Sequence, residues 1–162
     1  MSASPWSNAP DPREVKFARV LDENLALFRY HFSELMIAHL IDCWRTFGDF
    51  EEMLVMEFVG QISLRIHLNP EPIDACHGSV TASRIAKETG IPRQTVRRKL
   101  QSLERRGWVT QTEDASWRLA MKEGQAAASA ELASLDKRGL DRLVRLIDTL
   151  DSHVSRMRPS SK

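Results

Sequence analysis

The sequence is poor in the residues that build disulfide-linked or membrane-spanning proteins. Its two cysteines, Cys43 and Cys76, are too few for a disulfide framework, so reduced thiols are expected. The longest apolar run, residues 35–40, contains His39 and is followed by Asp42, whereas a membrane-spanning helix needs ~20 apolar residues. The polar, proline-containing start has no apolar stretch typical of a secretory signal. These absences favour a cytoplasmic protein.

Motifs of the common enzyme and metal-site classes are also missing. The sequence has no phosphate-cradling glycine loop, no G-x-S-x-G elbow and no H-E-x-x-H pair, so neither an enzyme nor a cofactor is expected. His39 and Cys43 share a helix face, and Cys76 precedes His77, but zinc sites usually have paired, closely spaced ligands. We therefore expect no metal site. Cys43 is interpreted as small core filler, while His39 is either buried or faces a ligand.

Charge is distributed unevenly along the chain. The 162 residues are 42% hydrophobic, enough for a core, and carry a net charge of +1. Between Thr81 and Gly107, however, the sequence has eight basic and two acidic residues, which is a local charge of +6. The remainder of the chain therefore has a net charge of −5. This asymmetry indicates a local polyanion-binding surface, although a solvated helix face is the commoner explanation of an isolated charge run.

The first half of the chain predicts two helices. Residues 1–12 resemble a disordered arm, and a long amphipathic helix is expected from Arg13 to Phe47. A second helix, about Phe50 to His67, is expected to bury the row Leu54, Phe58, Ile62 and Ile66 with Val55 and Val59 beside it. Residues 69–78 contain two prolines and a glycine, which predicts a loop.

The segment TGIPRQTVRRKLQSLERRGWV predicts the second half of a helix-turn-helix. Thr81 can cap a first helix that ends at Gly90, and Pro92 suits the first turn of a second helix. At ~100° per residue, Val96, Leu100 and Leu103 form one inner stripe. The polar residues Gln94, Arg98, Gln101 and Arg105 point the opposite way, with Thr95 and Arg97 on the flanks.

A hairpin and a further helix should follow. Residues 108–112 and 117–119 read as two strands around a polar loop, and a helix-turn-helix with such a hairpin is a winged helix. Helix resumes after Lys122, with an alanine-rich start from Gln125 and a break expected at Gly139. Its apolar residues have heptad spacing, which favours another helix of the same assembly as partner: Leu140, Leu143, Ile147, Leu150, Val154 and Met157.

The sequence from Leu54 to Gly124 resembles the MarR-like winged-helix transcriptional regulators. The resemblance rests on VTASRIAKETGIPRQTVRRKLQSLERRGWV, the hairpin, and LAMKEGQ where the family usually has a leucine-threonine-x-x-glycine turn. It implies a homodimer whose N- and C-terminal helices interlock and whose recognition helices enter successive major grooves. The wing departs from the family pattern, because Glu113 and Asp114 place acid at the tip and Arg118 lies further along.

The hydrogen-bonding chemistry of each side chain decides whether we assign it to base reading or to phosphate binding. Arginine binds guanine and glutamine binds adenine in bidentate fashion, whereas phosphate contacts are blind to sequence. We assign base reading to Gln94, Thr95, Arg97 and Arg98, and phosphate binding to Arg84, Arg93, Lys99 and Arg118. The dimer interface is expected to include Leu21, Leu25, Phe28, Phe32, Leu143, Ile147, Leu150 and Val154, and a ligand pocket would use Phe28, Phe32, Trp44 or Phe58.

The fold class that results is all-α with a small β-hairpin wing. A disordered arm (1–12) and an N-terminal dimerisation helix (13–48) precede a winged helix-turn-helix (49–122), and a C-terminal helical dimerisation region (123–158) precedes a short tail (159–162). The expected function is sequence-specific binding of a near-palindromic operator in double-stranded DNA by a homodimer, with or without a small-molecule effector. The alternatives are a winged helix that binds proteins and a DNA-binding factor of replication or partition.

Overall fold

The computed structural model describes residues 21–68 and 79–156, and the side chains of residues 21–65 and 79–153. The predicted arm at 1–12, the start of the first helix, the loop at 69–78 with Cys76 and His77, and the tail lie outside the described residues. Chain contacts define two compact units. One unit is Leu40–Lys137, and the other joins the described residues before Leu40 to those after Lys137. No described helix is both long enough and apolar enough to cross a membrane.

The first described helix is α1, Leu25–Phe47. Residues 21–23 are also helical, but a turn at Asn24 separates them from α1, so the uninterrupted helix expected from Arg13 is wrong at this point. Helix α1 ends at Gly48, which has a left-handed φ of 70°. Asp49 then caps α2, Phe50–Leu68, because its Oδ1 accepts a 2.8 Å hydrogen bond from the backbone N–H of Glu52.

The buried face of α2 is centred on Val55 and Val59, which the sequence places beside the predicted row. Both valines are fully buried, and Phe58 and Ile62 of the row are half-buried and pack against the core. Leu54, at the start of the row, is 45% exposed. Apolar residues occur on most sides of α2 in the sequence, so the periodicity does not distinguish the centre of the buried face from its edge.

The helix-turn-helix follows the predicted pattern. Helix α3, Ala82–Thr89, is capped by Thr81, whose hydroxyl accepts from the N–H of Arg84. Gly90 ends it with φ 73°, a left-handed conformation that costs glycine little. Pro92 is the N-cap of α4, Arg93–Arg105, one position before the expected first turn. The two helices and their tight turn are thus confirmed.

The wing is a two-stranded antiparallel hairpin. Strand β1, Val109–Gln111, pairs with β2, Trp117–Leu119, in the register Val109–Leu119. Val80, just before α3, forms a β-bridge to Trp117 of β2. The wing is therefore attached to the helix-turn-helix by backbone hydrogen bonds, and the winged-helix architecture is confirmed.

The region after the wing differs from the prediction in two respects. A second small hairpin is formed by β3 (Met121–Lys122) and β4 (Gln125–Ala126), and its turn and β4 lie where the sequence predicts helix. Its turn has Glu123 at φ 53° and Gly124 at φ 82°, which is the backbone of a two-residue hairpin turn. Helix α5, Ser129–Arg156, then continues through Gly139 without the expected break.

Trp108 stands at the centre of the Leu40–Lys137 core. It is 1% exposed, and its ring meets that of Phe47 edge-on at 5.6 Å. The aliphatic side chains of α3 and α4 complete the core, so the helix-turn-helix, α2 and the wing share one apolar interior.

Candidate nucleic-acid interface

Helix α4 is fixed from behind by aliphatic side chains and presents polar ones on its outer face. Val96, Leu100 and Leu103 have no exposed surface, as the helical periodicity predicted. Gln94, Arg97, Arg98 and Gln101 are exposed, and Thr95 is half-buried between the two faces. Because the inner stripe cannot rotate outward without losing this burial, the outer face has a fixed orientation.

An open groove of about 980 Å³ lies along this outer face, and we call it the α4 groove. All four residues assigned to base reading line it. The start of α3 and the wing form its other walls. The described residues that line it are Thr81, Ala82, Ser83, Arg93, Gln94, Thr95, Arg97, Arg98, Gln101, Glu104, Gln111, Asp114, Ala115 and Trp117.

The residues assigned to phosphate binding are spread over several places. Arg93 lines the α4 groove. Arg84 lines a separate cavity of about 580 Å³ that also contains Arg65 of α2. Arg118 is exposed on β2 and points to the opposite side of the strand from its neighbour Trp117. Of these three arginines, Arg93 lies in the same groove as the residues assigned to base reading.

The structure does not support Lys99 as a phosphate-binding residue. Its side chain is largely buried, and its Nζ donates to Oδ2 of Asp49 and lies 3.8 Å from Oε2 of Glu51. The hydrogen bond from Lys99 holds the pKa of Asp49 below its usual value. The sequence contained the signal for this location, because Lys99 lies only ~60° from Val96 on a helical wheel, beside the inner stripe.

Arg106 also pairs with the start of α2. Its Nη1 donates a 3.3 Å hydrogen bond to Oε1 of Glu52, and its guanidinium lies 3.5 Å from the centroid of the Trp108 ring. Two of the eight basic residues between Thr81 and Gly107 thus hold α4 to α2. No described residue forms an ion pair with Arg93, Arg97 or Arg98. The positive charge of the α4 groove is therefore available to a ligand.

The tip of the wing is ordered by Asp114. Its carboxylate accepts hydrogen bonds from the hydroxyl of Thr112, and from the hydroxyl and N–H of Ser116 at 3.1 and 3.4 Å. The bond from Thr112, followed by those from Ser116, lowers the pKa of Asp114. Between them Ala115 adopts a left-handed φ of 61°. The acid at the tip is thus part of a fixed turn and stays ionised.

The aromatic residues proposed for a ligand pocket occupy different surroundings. The rings of Phe28 and Phe32 stack at 5.6 Å in one unit. In the other unit, Trp44 is 52% exposed and contacts Phe50, and Phe58 lines a cavity of about 550 Å³. Among described residues, Trp44 does not line that cavity. The ligand pocket therefore stays a prediction.

Two other residues singled out in the sequence are packed. Cys43 is 3% exposed and belongs to the apolar core, as expected of a core filler. The ring of His39 lies 3.5 Å from the position that a Cβ on Gly139 would occupy. This is an ordinary van der Waals distance, so the ring would tolerate a methyl group at this point of α5.

The expected interface residues are exposed or half-buried in the single chain. On α5, Leu143 and Ile147 are 46% and 54% exposed and Leu150 is half-buried. The residues before Leu40 show the same range: Leu25 and Phe32 are exposed, and Leu21 and Phe28 are half-buried. The side chain of Val154 lies outside the described residues.

This geometry is that of a winged helix with a basic, glutamine-containing outer face on α4. Residues 74–116 match the model of the MarR family. The match covers α3, α4 and the wing up to Ser116, well under half of the chain, and it supports the MarR-like resemblance there. It also supports a DNA-binding transcriptional regulator. No curated protein and no solved structure matches the chain.

Proposed function

We propose that the protein is a sequence-specific regulator that binds double-stranded DNA as a homodimer, with α4 in the major groove. One observation carries the proposal: Gln94, Arg97 and Arg98 line a single open groove on the face of α4 opposite its buried stripe. A major groove admits one α-helix, and these side chains match the hydrogen-bonding edges of adenine and guanine.

The short span of these residues gives the reading geometry. Residues 94–98 cover about 6 Å of helix axis, which corresponds to roughly two base steps. Arg97 and Arg98 each act on guanine, Gln94 acts on adenine, and Thr95 on the flank contacts either base or phosphate. Arg93, Arg84 and Arg118 supply phosphate contacts that position the helix.

A second copy of the chain would complete the operator-binding unit. The apolar residues of α5, including Leu143 and Ile147, are exposed in the single chain and have coiled-coil spacing. A two-fold dimer built on them places two α4 helices against half-sites about 10 base pairs apart, or a multiple of one helical turn. The operator is then near-palindromic. As a separate part of the proposal, the protein acts in the cytoplasm.

Selection of bound sequences from a random duplex pool tests this function. We expect enrichment of a near-palindrome with guanine and adenine at the positions that α4 reads. Arg98→Ala should relax base preference at one position of each half-site, while Arg93→Ala should weaken all sequences about equally. Arg145→Ala, on the exposed surface of α5, is the matched control and should alter neither. Absence of duplex binding at low ionic strength would exclude the function.

A further inference from the structure

The α4 groove has opposite charge at its two ends. Arg93, Arg97 and Arg98 belong to the first half of α4, whereas Glu104 lies at its last turn. Glu104 follows Arg97 by seven residues, so it lies on the same face about 10.5 Å further along the helix axis. The wing adds a second carboxylate, Asp114, to the lining.

Both carboxylates are placed to act on a ligand. Glu104 is exposed on α4, and no described lysine or arginine forms an ion pair with it or with Asp114. The hydrogen bonds from Thr112 and Ser116 fix the Asp114 side chain at the wing tip. The lining of the α4 groove therefore includes two carboxylates that form no ion pair with a described lysine or arginine.

A phosphate chain that extended along the whole groove would meet these charges. Like charges a few ångströms apart repel, and water is partly excluded from a closed interface, so the repulsion is stronger there than in bulk solvent. The first half of α4 attracts the same phosphates. The DNA is therefore drawn to one end of the groove and kept from the other.

We propose that Glu104 and Asp114 are specificity-determining residues that exclude the phosphate backbone from the parts of the α4 groove that they line. This inference rests on the proposed function. Excluding the backbone there removes sequence-independent contacts, which supply most non-specific affinity. Within the groove, duplex contact is then confined to the part of α4 that carries Gln94, Arg97 and Arg98, so base reading makes a larger share of the binding free energy.

Charge-neutralising variants test the proposal. We would measure the affinity of the full chain for its selected operator and for an unrelated duplex, at several salt concentrations, with Glu104→Gln and Asp114→Asn. Asparagine keeps an acceptor for Thr112 and Ser116, so the wing turn is retained. Glu113→Gln is the matched control, because Glu113 is an exposed tip residue that does not line the groove. Thermal unfolding checks that each variant is folded.

We expect Glu104→Gln and Asp114→Asn to bind the unrelated duplex roughly fivefold more tightly at low salt, as removal of one repulsive charge at close range implies. The gain should fade as salt rises, and the operator-to-unrelated ratio should fall. Glu113→Gln should change neither. The inference is overturned if all three variants gain equally, if none gains, or if Glu104→Gln loses affinity for its operator, which would mean that Glu104 reads a base such as cytosine. If the wild-type chain binds no duplex, the proposed function itself fails and the inference falls with it.

Discussion

The indole Nε1 of Trp108 donates a 3.0 Å hydrogen bond to Oε1 of Glu131, which lies in the first turn of α5. Trp108 is almost fully buried, so its N–H has no access to bulk water. This bond therefore connects the residue that begins the wing to the helix that leaves the Leu40–Lys137 unit. It also satisfies the one polar atom of the Trp108 side chain.

Loss of this acceptor should destabilise the fold. Glu131→Ala leaves the buried N–H of Trp108 without its partner, and we expect it to lower the free energy of unfolding by about 1–2 kcal/mol. Glu131→Gln keeps a carbonyl acceptor at the same reach and should lose less than half of that. Urea unfolding of the two variants beside the wild type checks the expectation. Equal losses would indicate that the charge of Glu131, and not the hydrogen bond, matters.

The Asp49–Lys99 contact predicts a pH dependence. The pKa of Asp49 is lowered in the folded state, chiefly by the hydrogen bond from Lys99. An acid whose folded pKa is depressed stabilises the fold above its unfolded pKa, and this stabilisation is lost as pH falls through the folded pKa. The free energy of unfolding should therefore fall more steeply below about pH 4 in the wild type than in Asp49→Asn, which keeps an N-cap acceptor. In a Lys99→Met background this difference between Asp and Asn at position 49 should shrink, because only the backbone hydrogen bonds from Glu52 and Glu51 then lower the pKa of Asp49. An unchanged difference would contradict the assignment.

Lys99 and Arg93 should differ in their effect on DNA binding, although both are basic residues of α4. Arg93 lines the α4 groove, whereas the Lys99 ammonium lies against α2. We expect Arg93→Ala to reduce the slope of log affinity against log salt by about 1, and Lys99→Gln to leave that slope unchanged. Comparison at matched fractions of folded protein separates this effect from the stability loss of Lys99→Gln. A reduced slope in Lys99→Gln would restore it to the phosphate-binding set.

The turn between β3 and β4 offers a stabilising substitution. Glu123 and Gly124 both have positive φ, a conformation that Asn-Gly adopts with less strain than Glu-Gly. Glu123→Asn should raise the free energy of unfolding by about 0.5–1 kcal/mol. Glu113→Asn is the control, because Glu113 is exposed in the neighbouring loop and does not have positive φ. Thermal unfolding of both variants tests this expectation. If Glu113→Asn stabilises the fold as much as Glu123→Asn, the gain does not come from the positive φ at position 123.

Features that local interactions determine could be predicted from the sequence, whereas contacts between residues distant along the chain could not. The register of α4 was predictable because Val96, Leu100 and Leu103 repeat with the period of one helix, and Thr81 and Gly90 are local start and stop signals. The partner of Lys99 was not, because Asp49 lies fifty residues away along the chain and only tertiary packing joins them.

Two further differences have local physical reasons. Strands β3 and β4 have two residues each, too short for a period-2 pattern to appear in the sequence. The glycine at position 139 predicts a helix break, but α5 continues through it from Ser129 to Arg156. A glycine inside a helix and one that ends a helix are identical in sequence, so the residue type alone could not distinguish them.

The apolar seam of α5 gives the last prediction, which concerns assembly. Ile147 is 54% exposed, so replacing it with a charged residue removes little packing within the single chain. If the seam pairs two copies, Ile147→Glu places two charges in an apolar interface and should convert the dimer to monomers, as sedimentation velocity would show. Operator affinity should then fall by at least tenfold, since a monomer contacts one half-site at a time, while the thermal unfolding of the winged helix stays cooperative. Asp148→Ala, at the next exposed position, should leave both the mass and the affinity unchanged. A dimer that survives Ile147→Glu would mean that α5 does not form the interface.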